Sequence, residues 1–233
     1  MIASLEFSDV WAGYGSGFTV LRGLTFRLFK GEIALLTGEN GAGKTTAFDI
    51  ACGNRRADQG NIRIRGVDID GHLPEKLAKF GVRRMYQFPT VFGTLSIRDN
   101  ILIGADPKLY SSPRPWPFSN KRRHLWEATR ATAVQLFGAC PFLENWQTTA
   151  KDLSFGQQRI VDFLRVVAGA RDDTVLLLDE PFTGIHVGVA EIMWAMIQTL
   201  VSRGASVLLV EHENEAARYN GVRRLHLVGG SLQ

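Results

Sequence analysis

The chain has 233 residues, 45% of them hydrophobic, which is enough for one sizeable core or a core with a subdomain. Its net charge of +4 comes from dispersed lysines and arginines, clustered only at Arg55–Arg56, Arg83–Arg84, Lys121–Arg122–Arg123 and Arg223–Arg224; this fits a solvated surface and gives no reason to expect a nucleic-acid partner. Cys52 and Cys140, without a C-x-x-C, argue against a disulfide framework and fit a reducing compartment; the N-terminus lacks a signal-peptide pattern, and no apolar stretch approaches the ~20 residues that span a bilayer.

In chain order, Leu5 and Phe7 alternate with polar residues as in a half-buried strand, and Phe26 and Leu28 do the same around Arg27. Lys30–Gly31 forms a turn, and Ile33–Leu36 is an unbroken apolar run suited to a strand buried on both faces. Thr45 to Cys52 reads as a helix closed by Gly53–Asn54. Ile62 and Ile64 mark another alternating strand, and Pro74 suits the first position of a helix. Three prolines in SSPRPWPFSN, residues 111–120, predict a surface loop with Trp116 and Phe118 packed locally. A helix follows from about Lys121 to Phe137, with Leu125, Thr129, Ala133 and Phe137 on one stripe and Gly138 as its stop.

Further helical stripes are Ile160, Leu164, Val167 and Ala168, and then Ile192, Met193, Met196, Ile197 and Leu200. Val175–Leu178 and Ser206–Val210 are further apolar strands. Apolar strands alternating with helices predict an α/β fold with a mainly parallel core sheet.

The strand ending at Leu36 runs into GENGAGKTT, residues 38–46, where Gly38, Gly43, Lys44 and Thr45 match the P-loop pattern G-x-x-x-x-G-K-[ST]. Its glycines let successive backbone N–H groups, through Asn40, Gly41, Ala42 and on to Thr46, turn toward one oxyanion, and the following helix adds its positive end. Lys44 bridges the β- and γ-phosphates in such a loop, and Thr45 offers a hydroxyl to Mg²⁺. The strand VLLL, residues 175–178, ends in Asp179 and Glu180, and two carboxylates there need a cation or a reaction. In a P-loop site Asp179 holds Mg²⁺ through water, and Glu180 polarises a water for in-line attack on the γ-phosphate. ATP and Mg²⁺ are therefore the expected substrate and ion.

LSFGQQ, residues 153–158, resembles the signature motif of ATP-binding cassette (ABC) ATPases, usually L-S-G-G-Q. By itself it is a Ser–x–Gly turn opening a helix, which is either an anion site or a plain N-cap. The resemblance implies a P-loop ABC ATPase with an N-terminal antiparallel β subdomain and a helical signature subdomain. In one domain over residues 1–233, about 1–85 and 160–233 form the catalytic core and about 86–159 the helical part. It also implies a head-to-tail dimer with an identical or paralogous cassette, in which the signature residues Ser154, Phe155, Gly156 and Gln157 cover the ATP of the partner. Tyr14 in GYGSG is placed like the aromatic that stacks on adenine. Gln87 in MYQFP is placed like the glutamine that reaches Mg²⁺ and the attacking water, and His212 in LLVEHE like the switch histidine on the γ-phosphate.

Two departures stand out: Phe155 replaces the more frequent Gly, and His186 in PFTGIHV stands where the family usually has Asp. One short cassette without long coiled coils resembles the motor subunit of a transporter. It is expected at the cytoplasmic face of the membrane, with permease subunits docking near residues 88–104, where Phe88, Val91, Phe92, Leu95 and Ile97 suggest an apolar groove. Chain after His212 is short, as in a bare motor. GENGAGKTTAFD, LSFGQQR and LLLDEPFTGI are similar to importers of branched-chain amino acids, amides and urea, and also to the lipopolysaccharide-export ATPase. An ATP-gated interaction protein with little hydrolysis is the contrasting alternative.

Overall fold

The computed structural model describes residues 2–15, 17–106, 120–137, 139–211 and 221–233. Trp116, Phe118, Gly138 and His212 lie outside the described residues, as do the side chains of Ala133 and Phe137. Two compact units divide the chain: Met1–Arg84, Arg171–Glu180 and Leu200–Gln233 form one, and Met85–Ala170 with Pro181–Thr199 the other.

The first unit contains a four-stranded antiparallel sheet among its described residues. Its strands are β1 (Leu5–Tyr14), β2 (Phe18–Leu28), β4 (Gln59–Ile64) and β5 (Val67–Asp68), in the order β2-β1-β4-β5. Phe7 lies opposite Phe26 on one side and Ile62 on the other. The two phenyl rings stack with centroids 4.7 Å apart. Such a cross-strand aromatic pair contributes up to about 1 kcal/mol beyond the area it buries.

A second sheet has the order β10-β9-β3-β8-β7-β6, from β3 (Ile33–Thr37), β6 (Val82–Met85), β7 (Val175–Asp179), β8 (Ser206–Val210), β9 (Arg223–Val228) and β10 (Ser231–Leu232). The pairs β3–β8, β3–β9 and β7–β8 are parallel, while β9–β10 is antiparallel. Every residue of β7 and β8 is buried, as strands covered on both faces require. Leu36, Phe48, Ile62, Leu208 and Val210 belong to one apolar cluster that also holds Phe7 and Phe26.

Helix α1 (Lys44–Ala51) turns Ala47, Phe48, Ile50 and Ala51 into that cluster. It ends at Gly53, whose φ of 78° suits a helix stop. The buried Arg84 guanidinium fastens its last turn, donating to Asp49 Oδ1 at 2.5 Å and to Cys52 Sγ at 3.3 Å. Burial works against that charge, but the bonds to Asp49 and Cys52 outweigh it and hold the Arg84 pKa above its ordinary value. Helix α2 (Pro74–Lys79) begins with proline in its first turn and buries Leu77.

The second unit is helical. Helix α3 (Ile97–Ala105) is capped by Ser96, whose side chain accepts the Asp99 N–H at 3.1 Å. Helix α4 (Asn120–Phe137) buries Thr129 and half-buries Leu125. Helix α5 (Phe155–Val167) lies whole within this unit and buries Ile160, Leu164 and Val167 on one stripe. Helix α6 (Val187–Ser202) belongs to this unit as far as Thr199 and buries Met193, Met196 and Ile197; Leu200, also buried, is counted with the first unit.

Helices α3 and α5 approach at Gly104, where a Cβ would run into the backbone carbonyl of Arg165. Gly→Ala inside a helix normally stabilises by about 0.5–1 kcal/mol. At Gly104 the sign reverses, because the helices must separate. Gly104→Ala is expected to lower unfolding stability by about 1–3 kcal/mol in urea titrations of the full chain.

Candidate nucleotide-binding site

Strand register positions the two halves of the site. Leu36 of β3 and Asp179 of β7 both lie opposite Val210 of β8, which runs between them. All three strands are parallel, so their carboxyl ends share one edge, and Asp179 stands two strand spacings, about 10 Å, from Leu36. Residues 38–43 leave β3 at that same edge. Ligands of open α/β sheets bind outside such an edge.

The loop's backbone is one that glycine permits. Gly38, Gly41 and Gly43 have φ of 146°, 83° and 109°. A Cβ on Gly38 would enter the Leu227 carbonyl of β9, and one on Gly43 would stand 2.6 Å from Leu21 Cδ2. Gly43 is the N-cap of α1, so the positive N-terminal end of the helix faces the loop. Lys44 Nζ donates to the carbonyls of Gly38 at 2.6 Å and Glu39 at 2.9 Å, bringing an ammonium over the loop. Asn40, Gly41 and Thr45 are exposed, while Ala42 and Thr46 are buried.

Asp179 and Glu180 are 6% and 7% exposed, so both residues are largely shielded from bulk water. Glu180 N–H continues the ladder by donating to the Val210 carbonyl at 2.9 Å. Its φ is then 47°, a left-handed conformation rare for a side-chain-bearing residue, and the chain leaves the strand there. Thr45 and Asp179 each offer oxygen donors, the kind that suits a hard divalent ion such as Mg²⁺. Among the described residues no group of three or more His, Cys, Asp or Glu is clustered to hold a metal. Mg²⁺ needs no such cage, since it takes one or two carboxylates together with substrate phosphates.

Tyr14, at the end of β1, is 53% exposed. Its hydroxyl lies 3.4 Å from Thr46 Oγ1. The Arg55 guanidinium lies 4.1 Å from its ring centroid and donates to the Gly13 carbonyl. Arg55 was not legible as a site neighbour, because an Arg–Arg pair in sequence looks like ordinary solvated charge.

Gln87 and the signature residues belong to the second unit. Gln87 is exposed. Ser154 is the N-cap of α5 in a complete capping box: its Oγ accepts the Gln157 N–H at 3.4 Å, and Gln157 Oε1 accepts the Ser154 N–H at 2.9 Å. A hydroxyl that accepts in this way keeps its own proton for a further acceptor. Phe155 is half-exposed and its ring flanks Gly184. His186 Nδ1 accepts the Gly188 N–H at 3.3 Å, so this imidazole caps the start of α6. Of the expected groove, Phe88 and Phe92 are exposed and Val91 and Leu95 half-buried, but Ile97 is fully buried and fills the core.

A protein-family model described as ABC transporter matches residues 21–183. The chain is 30% identical over 211 residues to the "Ribose import ATP-binding protein RbsA 2" of Streptomyces avermitilis, covering 91% of this chain and 39% of that one. It is 28% identical over 196 residues to the "Probable branched-chain amino acid transport ATP-binding protein LivG" of Archaeoglobus fulgidus, covering 84% of this chain and 75% of that one. The chain thus spans well under half the length of the ribose-import relative. Among solved structures, a nucleotide-free ATP-binding cassette from an ABC transporter superposes with a TM-score of 0.79 at 23% identity, over 100% of this chain and 90% of that one. A bacterial Atm1-family ABC exporter with ATP bound gives 0.79 at 21% identity, over 99% and 38%. These structural likenesses establish the fold.

Gly43→Ala combines a forbidden backbone angle with a clash against Leu21. It is expected to weaken binding of a fluorescent ATP analogue at least ~10-fold, a loss of about 1.4 kcal/mol, as measured by equilibrium titration.

Proposed function

The chain belongs to the ABC transporter family, as an ATPase domain of it, and from that premise we propose that it binds ATP on residues 38–46 and hydrolyses it to drive transport. The observation that carries this reading is the common edge shared by the phosphate loop and the Asp179–Glu180 pair. Lys44 and the loop N–H groups neutralise the phosphates, and Tyr14 offers a stacking surface to the base. Thr45 and Asp179 would hold Mg²⁺, and Gln87 is assigned to the same ion and to the attacking water. When bound, that ion screens charge on the β- and γ-phosphates. Glu180 orients a water and withdraws its proton as the water oxygen attacks phosphorus in line; ADP leaves with the electron pair of the broken bond. His212 is assigned to the γ-phosphate.

ABC ATPase domains generally dimerise and pair with membrane permeases. In the proposed dimer, Ser154 Oγ and the Gly156 N–H contact the partner's γ-phosphate, flanked by Phe155 and Gln157. Closure on ATP moves the permeases, and product release reopens the pair. Exposed Phe88 and Phe92 are the proposed contact for the permease, which puts the chain at the cytoplasmic face of the membrane. No helix among the described residues is long and apolar enough to cross a membrane. The proposed cargo is a small polar solute taken inward, such as branched-chain amino acids, amides or urea. The likeness to a ribose-import protein makes a sugar the second reading.

Glu180→Gln keeps the side chain's shape and removes the base. Steady-state ATP turnover is expected to fall about 10²- to 10³-fold, while the variant still binds ATP and collects as dimer on size-exclusion chromatography. Unchanged turnover would favour an ATP-gated interaction protein. Mixing Lys44→Ala with Ser154→Ala protomers should restore turnover, because one composite site is then intact; no recovery would rule out the shared site.

His186→Asp keeps a helix cap while replacing imidazole with carboxylate. The fold is therefore expected to survive, with unfolding midpoints nearly unchanged. The Hill coefficient for ATP in the reconstituted transporter should shift, since residue 186 stands in the segment that couples the two sites.

A further inference from the structure

Among the described residues, the largest fully buried side chain is Arg159, on the second turn of α5, directly after the signature. Its guanidinium donates to the backbone carbonyls of Tyr86, at 3.2 Å, and Gln87. Three residues on, Asp162 is also fully buried. It accepts the Thr90 N–H at 3.3 Å and the Thr90 hydroxyl at 3.2 Å. Three further on, Arg165 closes the network, donating to Asp162 Oδ1 at 2.5 Å and Thr90 Oγ1 at 2.6 Å. The spacing i, i+3, i+6 puts all three on one face of the helix.

The far end of the same segment is fixed as well. Asn100 accepts the Phe92 N–H at 2.7 Å and donates to the Phe92 carbonyl at 3.1 Å. Residues 93–98 then bond along the backbone to 146–151, the stretch that leads into the signature. Lys151 N–H donates to Gly93, Ala150 N–H to Leu95 and Ile97 N–H to Thr148, at 2.9, 2.9 and 3.0 Å. The segment beginning at Gln87 is therefore tied to the chain before the signature and to the helix after it.

Buried charge on this scale costs several kcal/mol unless it is fully paired, and apolar residues would fill the same space more cheaply. We propose that Arg159, with Asp162 and Arg165, is a positioning device that holds the Gln87 backbone in register with the signature turn. Displacement of one half-site thereby carries the other with it. The device acts through Gln87 and touches no substrate, and it rests on the role given to Gln87 above. A shift of ~1 Å in a positioned group can cost ~100-fold in rate without altering ground-state binding.

The test uses the full chain with ATP and Mg²⁺. Thr90 is exposed, so Thr90→Val removes the bridging hydroxyl at little risk to folding; Arg159→Met removes the buried donors. Expected are a fall in kcat of ~10-fold for Thr90→Val and ~100-fold for Arg159→Met, with KM for ATP within ~2-fold in both. Thr90→Ser should restore kcat. In a Gln87→Ala background, Thr90→Val should cause no further loss, since a device that acts through Gln87 has nothing left to position. Two results would overturn the proposal while leaving the role of Gln87 standing: kcat unaffected by Thr90→Val although Gln87→Ala lowers it, or losses that multiply in the double variant. If Gln87→Ala itself leaves kcat unchanged, the role assigned to Gln87 fails, and the proposal with it.

Discussion

Val210 is the reference point of the first unit. It takes Leu36 on one side and Asp179 on the other, and through it the parallel register of β3, β8 and β7 is passed to the chemistry. A slip of one residue in β7 would turn Asp179 through the sheet, sending its charge into the apolar layer and a leucine to the edge. The wholly buried strands make such a slip expensive. Burying each of Leu176, Leu177 and Leu178 contributes about 1.5–3 kcal/mol, and all three are fully buried. The apolar run is thus what allows two carboxylates to be held at a fixed place.

The two units solve different problems with different forces. The first is organised by non-directional apolar packing across two sheets, which gives rigidity and a defined edge. The second uses directed polar bonds: caps at Ser96 and Ser154, the Asn100 side chain on Phe92, and the charged face of α5. Such bonds lose their value quickly with misalignment, so they fix orientation better than they add stability. That suits a unit in which short irregular segments must keep their shape.

Much of this was legible in the sequence, for identifiable reasons. β7, β8 and the phosphate loop announce themselves through unbroken apolar runs and a glycine pattern with one purpose. The stripes of α5 and α6 follow 3.6-residue periodicity closely enough to be placed by inspection. The full extent of the antiparallel sheet was less visible. β1 and β2 run 10 and 11 residues, but register shifts between Phe7 and Val10 and beyond, with a positive φ at Asp9, break the alternation that marks a strand. The order β9-β3-β8-β7 is a tertiary choice that no local window contains. Arg159 and Asp162 look like surface charges on an amphipathic helix. Their burial is decided by carbonyls and N–H groups some 70 residues away, at |i−j| of 73 and 72. Ile97 is the converse: an apolar residue in a presumed groove that its helix turns into the core.

The reciprocal bonds between Ser154 and Gln157 have a consequence for assembly. The turn they close is held by its own side chains, so its shape does not wait for another protomer to impose it. Ordering a loose loop at the moment of docking costs roughly 0.5–1.5 kcal/mol per immobilised side chain, and a preorganised turn has already met that cost during folding. In the proposed dimer, encounter between two cassettes would then be governed by collision and charge, and the lifetime of the closed pair by bound nucleotide.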